Sequence, residues 1–185
     1  MSGLYLASQS PRRTELLHQV GIDHTVVSSS YVEDNVVTTD PIEMVKAQAL
    51  GKARCANDVP DGGIVLGADT IVVHNGNILG KPHSKDEARS MLRTLSGQVH
   101  SVITGVALLI KGREIVFHNE TKVYFKMLQD FEIESYIDSM EPMDKAGAYG
   151  IQEWIGYVGV TSINGSYFNV MGLPVQRIWE EVHKL

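Results

Sequence analysis

The chain of 185 residues has one cysteine, Cys55. That excludes an internal disulfide and a thiolate metal cluster, and it suits a reducing compartment, so a cytoplasmic location is the expectation. None of the seven histidines stands at the His-Glu-x-x-His spacing, which argues against a histidine-rich metal site. There is no Gly-x-x-x-x-Gly-Lys-Ser/Thr run either, which disfavours a P-loop kinase. The longest aliphatic run, Val106-Ala107-Leu108-Leu109-Ile110, is far too short to cross a bilayer. Met1-Ser2-Gly3-Leu4 leads no cationic segment into an apolar one, so no signal peptide and no membrane partner are expected. No part of the chain is strongly basic. The net charge is −6, and residues 1–90 and 91–185 each carry 8 basic and 11 acidic groups. A large nucleic-acid footprint is therefore not expected, and Trp154 and Trp179 are too scattered for a base-stacking surface. A small polyanion needs only a local cluster of cations and remains open.

With 43% hydrophobic and 21% charged residues, the composition is that of an ordinary globule, and the length suits a single domain over residues 1–185. Residues 3–7 read as a buried strand and 11–20 as a helix ended by Gly21, with Ser10 as a plausible N-cap. A strand over 24–27, an irregular polar loop over 28–39 and a helix opened by Asp40-Pro41 follow. Residues 64–74 and 77–79 read as a hairpin turning at Asn75-Gly76. Ser84 and Glu87 fit a capping box for a helix to about Leu95. Long β-like runs over 99–110 and 114–126 form an antiparallel pair. A helix over 130–140, a glycine-bearing loop over 145–152, a strand over 156–163 and a helix over 174–184 complete the chain. Strands and helices mix without strict repetition, so the expected class is α/β with a mixed, twisted sheet and flanking helices.

Four groups of residues could carry chemistry. In Ser8-x-Ser10-Pro11-Arg12-Arg13, a strand runs into a helix whose first turn holds adjacent arginines. Free amides, the helix dipole and planar guanidinium forks suit a phosphate chain; a capped helix with solvated arginines is the plainer reading. Ser8 offers a hydroxyl either to a phosphate oxygen or to its own turn. In Gly67-Ala68-Asp69-Thr70, a carboxylate stands inside an apolar strand. Asp69 could hold a divalent ion or activate a water, or be an exposed strand residue. Asp69 and Thr70 point to opposite sides of a regular strand, unless Gly67 permits a bulge. Lys81, fixed between Gly80 and Pro82, is either a phosphate ligand or a surface turn residue. In Asp144-Lys145-Ala146-Gly147-Ala148-Tyr149-Gly150-Ile151-Gln152, the glycines could admit a ligand and Gln152 could read a base edge, or the segment is a plain connection. Lys46 and Lys52 stand six apart on one helix, too far round it to share a ligand.

These segments, in this order, resemble the signature segments of the Maf family of nucleotide pyrophosphatases, and the similarity runs from Leu4 to about Val175. Arg12 after the proline, Thr70 after the aspartate and Gln152 after the isoleucine resemble the branch that hydrolyses dTTP and UTP; the 7-methyl-GTP branch typically has tryptophan where Arg12 stands. The resemblance implies an α/β fold similar to inosine-triphosphate pyrophosphatases, with two lobes around a central cleft, often paired as homodimers. It implies cleavage of a nucleoside triphosphate between the α and β phosphates with a divalent metal, magnesium or manganese. Carried over residue by residue, it makes Asp69 the catalytic base or metal-linked carboxylate and Glu33 a second metal ligand. Ser8, Arg12, Arg13, Lys52 and Lys81 then hold the triphosphate, and Thr70 and Gln152 face the pyrimidine. A pyrophosphatase for 7-methyl-GTP or another modified nucleotide is the alternative, as is a nucleotide-binding regulator of septum formation without turnover.

Overall fold

The computed structural model describes residues 3–33, 38–140 and 142–184. Residues 34–37 of the polar stretch expected as a loop lie outside it, as do Met1 and Ser2. Among the described residues, a seven-stranded mixed sheet has the order β2 (His24–Val26), β1 (Leu4–Leu6), β3 (Ile64–His74), β5 (Val99–Ile110), β6 (Arg113–Phe125), β7 (Val160–Asn164), with β4 (Asn77–Leu79) paired to β3. The chain divides into two units: Met1–Thr70, Thr104–Asn119 and Gly172–Leu185 form the first, and Ile71–Ile103 and Glu120–Met171 the second.

In the first unit, β1 (Leu4–Leu6) pairs in parallel with β2 (His24–Val26) and with the start of β3 (Ile64–His74). Parallel neighbours need crossover connections, and helices α1 (Pro11–Gln19) and α2 (Pro41–Arg54) supply them. Proline opens both helices, where its missing N–H has no partner to lose. Asp40 caps α2 as expected, accepting from the Ile42 N–H at 2.9 Å. Ser10 stands at the N-cap of α1 but makes no side-chain cap bond. Its own N–H donates instead to Ser8 Oγ at 3.3 Å.

Helix α2 buries Val45, Gln48, Ala49 and Ala53. It lies so close to the sheet that a Cβ on Gly67 of β3 would meet the Ala49 carbonyl oxygen at 2.2 Å. One on Gly105 of β5 (Val99–Ile110) would meet that of Val45 at 2.2 Å. Strand β3 runs unbroken through Gly67, and the glycine makes room for a helix backbone. Helix α7 (Val175–Val182) closes the unit with Val175 and Ile178 buried.

The second unit holds the rest of β3, β4 (Asn77–Leu79), the start of β5, the end of β6 (Arg113–Phe125) and β7 (Val160–Asn164). The β3–β4 turn has positive φ at Asn75 (48°) and Gly76 (77°), the two-residue geometry that asparagine and glycine favour. Helix α3 (Lys85–Leu95) is capped by Ser84, which accepts from the Glu87 N–H at 3.2 Å. Glu87 reaches back one residue further than a capping box, accepting from the His83 N–H at 2.7 Å. With α4 (Asp130–Met140), this helix encloses a core that includes Leu92, Leu95, Ile133, Tyr136, Ile137 and Ile155.

The expected strand over 156–163 is corrected. Trp154–Gly159 is helix α5, and β7 starts only at Val160. Ile155 and Gly159 are its buried residues, four apart as on one helical face. A Cβ on Gly156 would lie 1.8 Å from the Ile151 carbonyl oxygen, so this turn can form only with glycine there. Within the loop expected over 145–152, Ala146–Ala148 is a short helical turn, and two stretches to which the sequence assigned no element, Pro142–Asp144 and α6 (Tyr167–Val170), are helical as well.

Candidate active site

Ser8, Arg13, Glu33, Lys52, Asp69 and Thr70, all sequence-predicted and all in the first unit, fall into two hydrogen-bonded groups. The first centres on Lys52, on the last turn of α2. Its Nζ lies 2.6 Å from Asp69 Oδ1 and 2.7 Å from Glu33 Oε1. Lys52 and Asp69 side chains are each 16% exposed, so their attraction is screened less than that of a surface pair. Among the described residues, Asp69 Oδ2 accepts no hydrogen bond, which leaves one carboxylate oxygen available. Lys46 instead pairs with Glu43 at 2.7 Å, apart from Lys52.

The second group centres on Arg13. Its Nε donates to the Gly172 carbonyl at 2.9 Å, one Nη to Ser8 Oγ at 3.0 Å, and the other to Thr70 Oγ1 at 3.2 Å. Burial lowers the Arg13 pKa, and the nearby Asp69 carboxylate opposes that shift. Thr70 Oγ1 also lies 2.9 Å from Thr104 Oγ1 and 3.4 Å from the Gly172 carbonyl. Asp69 and Thr70 thus serve opposite partners, as alternation along a regular strand dictates. Arg12, one position earlier in α1, is half-buried.

In the second unit, Lys81 is exposed just after Gly80. The Gly80 carbonyl accepts from the Gly147 N–H at 3.0 Å, which joins the Lys81 turn to the segment ending at Gln152. Gly147 has φ +68° and no room for a Cβ, which would sit 2.9 Å from Val72 Cγ2. The segment is pinned from behind. Lys145, 9% exposed, pairs with Glu153 at 3.0 Å and Asp144 at 2.6 Å. Tyr136 donates its hydroxyl to Glu153 Oε2 and accepts from the Gly150 N–H at 3.0 Å. Burial, reinforced by that carboxylate, pushes the Tyr136 pKa up. Gln152 Oε1 is buried and, among the described residues, has no hydrogen-bond partner.

Sequence reasoning missed Thr104, the Gly172 carbonyl, Tyr136 and Glu153. No local signal marks the first two, because a buried threonine and a main-chain oxygen belong to no motif. Asp144-Lys145 held a hint: a lysine among small apolar residues needs an anionic partner.

Among the described residues no group of three or more His, Cys, Asp or Glu is placed to hold a metal ion. Two carboxylates do meet, Glu33 and Asp69, both within 2.7 Å of one ammonium. A magnesium ion that keeps waters and substrate phosphates asks no more of a protein than one or two carboxylates, so the donor set fits.

A family model described as Maf-like protein matches residues 3–185. A protein of Phocaeicola vulgatus named dTTP/UTP pyrophosphatase is 47% identical over 184 residues, covering 98% of this chain and 95% of that protein. One of the same name from Symbiobacterium thermophilum is 50% identical over 177 residues, covering 96% and 91%. Another from Bacillus cereus is 44% identical over 182 residues, covering 98% and 95%.

Proposed function

This chain belongs to the Maf-like protein family, and from that premise we propose that it hydrolyses dTTP and UTP to the nucleoside monophosphate and pyrophosphate. The supporting observation is the pairing of Asp69 with Lys52, which leaves one carboxylate oxygen without a described partner. A water oxygen bonds to the α-phosphorus, the bond from that phosphorus to the bridging oxygen breaks, and pyrophosphate leaves with the electron pair. Asp69 takes the proton that the water gives up, and Lys52 holds the carboxylate in place. Ser8, Arg12, Arg13, Lys52 and Lys81 are assigned to the triphosphate, Thr70 and Gln152 to the pyrimidine. Residues 1–185 act as one domain of two units.

Glu33 and Asp69 would hold a magnesium or manganese ion. When bound, it neutralises charge on the phosphoryl oxygens. The active protein is a cytoplasmic homodimer with no nucleic-acid or membrane partner. The support for this is the family resemblance.

The test is turnover of purified protein on dTTP, UTP, CTP and 7-methyl-GTP, scored for pyrophosphate against orthophosphate. dTTP and UTP are expected to lead, with pyrophosphate as product. Chelation should stop turnover, and magnesium or manganese should restore it. A preference for 7-methyl-GTP, or nucleotide binding without turnover, overturns the assignment.

A further inference from the structure

A hydroxyl has one proton to donate and two lone pairs with which to accept. Ser8 Oγ accepts from Arg13 at 3.0 Å and from the Ser10 N–H at 3.3 Å. Both lone pairs are occupied. Among the described residues its proton has no acceptor. Toward a ligand, Ser8 can therefore act only as a donor, and a phosphate oxygen can act only as an acceptor. Arg13 imposes that polarity, because an arginine donates and never accepts.

Arg13 is itself held by the Gly172 carbonyl and by Thr70 Oγ1. Thr70 accepts from Arg13, so its own proton goes to Thr104 at 2.9 Å or to the Gly172 carbonyl at 3.4 Å. In either arrangement that proton stays inside the protein. Thr104, on β5, is 0% exposed and so cannot touch a ligand. We propose that Thr104 is a positioning residue: through Thr70 and Arg13 it holds Ser8 as an obligate donor to the triphosphate. This rests on the function read above and adds a residue that no motif marks.

The experiment pairs Thr104→Val and Thr104→Ser with Ser8→Ala, singly and combined. Pyrophosphate binding is measured by calorimetry and dTTP turnover by steady-state kinetics. A hydrogen bond to a charged group lost at Ser8 corresponds to roughly a tenfold or greater loss of affinity. Thr104→Val should therefore weaken pyrophosphate binding and raise KM for dTTP by about tenfold, with kcat changed less than about threefold. Thr104→Ser, which keeps the hydroxyl, should stay within about twofold of wild type. In the Ser8→Ala background Thr104→Val should add less than about twofold, because residues acting through one another are not additive. Thr104→Ala carries the same test should Thr104→Val not fold. A full Thr104→Val effect without Ser8, no effect with it, or a Thr104→Ser protein as impaired as Thr104→Val overturns the relay. A wild-type protein inert toward dTTP overturns the function instead; the pyrophosphate measurements still decide the relay.

Discussion

Asp69 and Lys52 meet at 2.6 Å, and Glu33 joins them on the same ammonium. Removing the Asp69 charge takes away the proton acceptor and releases Lys52 toward anions. Asp69→Asn should lower kcat for dTTP by about 10²–10⁴-fold, the range of a positioned general base. Nucleotide affinity, read by calorimetry on the same protein, should be undiminished, because the lysine keeps its charge. A variant turning over near the wild-type rate would remove Asp69 from its assigned role. Sequence reasoning singled out Asp69 because an aspartate within the apolar stretch from Leu66 to Val73 needs a partner if buried, and the resemblance supplied its role. It could not name that partner, since the ion pair spans 17 residues and depends on where α2 lies on the sheet. Thr104 was invisible for a related reason: its chemistry lies wholly in a contact 34 residues away.

Elements place those side chains, and α2 bears most of that task. It carries Lys52, and glycines at 67 and 105 let its backbone press on β3 and β5. Gly67→Ala or Gly105→Ala should cost about 1–3 kcal/mol from overpacking. At this chain length that lowers the melting temperature by roughly 2–4 °C per kcal/mol. Because the helix must lift, turnover should fall further than stability explains. Thermal melts beside dTTP kinetics check both; a Gly67→Ala protein with wild-type melting and kcat would show that the close approach is not needed. The ends of elements were legible wherever a local device sets them: Asp40-Pro41 before α2, Ser84 before α3, Asn75-Gly76 between β3 and β4. The exchange of strand for helix over Trp154–Gly159 was not. A short apolar run has no clear period, and the contact that requires Gly156 comes from the Ile151 carbonyl.

At the scale of the whole molecule, stability should depend on acid through a buried histidine, His100. His100 is 2% exposed and 2.7 Å from the Tyr149 hydroxyl. Burial, with a smaller contribution from His74, holds its pKa down to about 4. The unfolded chain therefore binds a proton near its ordinary pKa of about 6.5, while the folded chain stays neutral to about 4. Stability is complete above pH ~6.5 and declines as pH falls toward ~4, by up to about 3 kcal/mol. Urea unfolding at several pH values should show this slope, and His100→Gln should flatten it; an unchanged slope in the variant would assign acid sensitivity to other groups. The fold class was readable from the mixed order of strands and helices. The division into two units was implied by the resemblance but not by periodicity, because β3, β5 and β6 each contribute to both and no linker marks the change.

In the proposed reaction Asp69 directs a water at the α-phosphorus of a pyrimidine triphosphate. Hydrolysis of dTTP in ¹⁸O-labelled water, with the products weighed by mass spectrometry, shows which phosphorus the water attacks. One labelled oxygen in dTMP and none in pyrophosphate is the expected result. Label in the pyrophosphate, or orthophosphate as the released product, would contradict it.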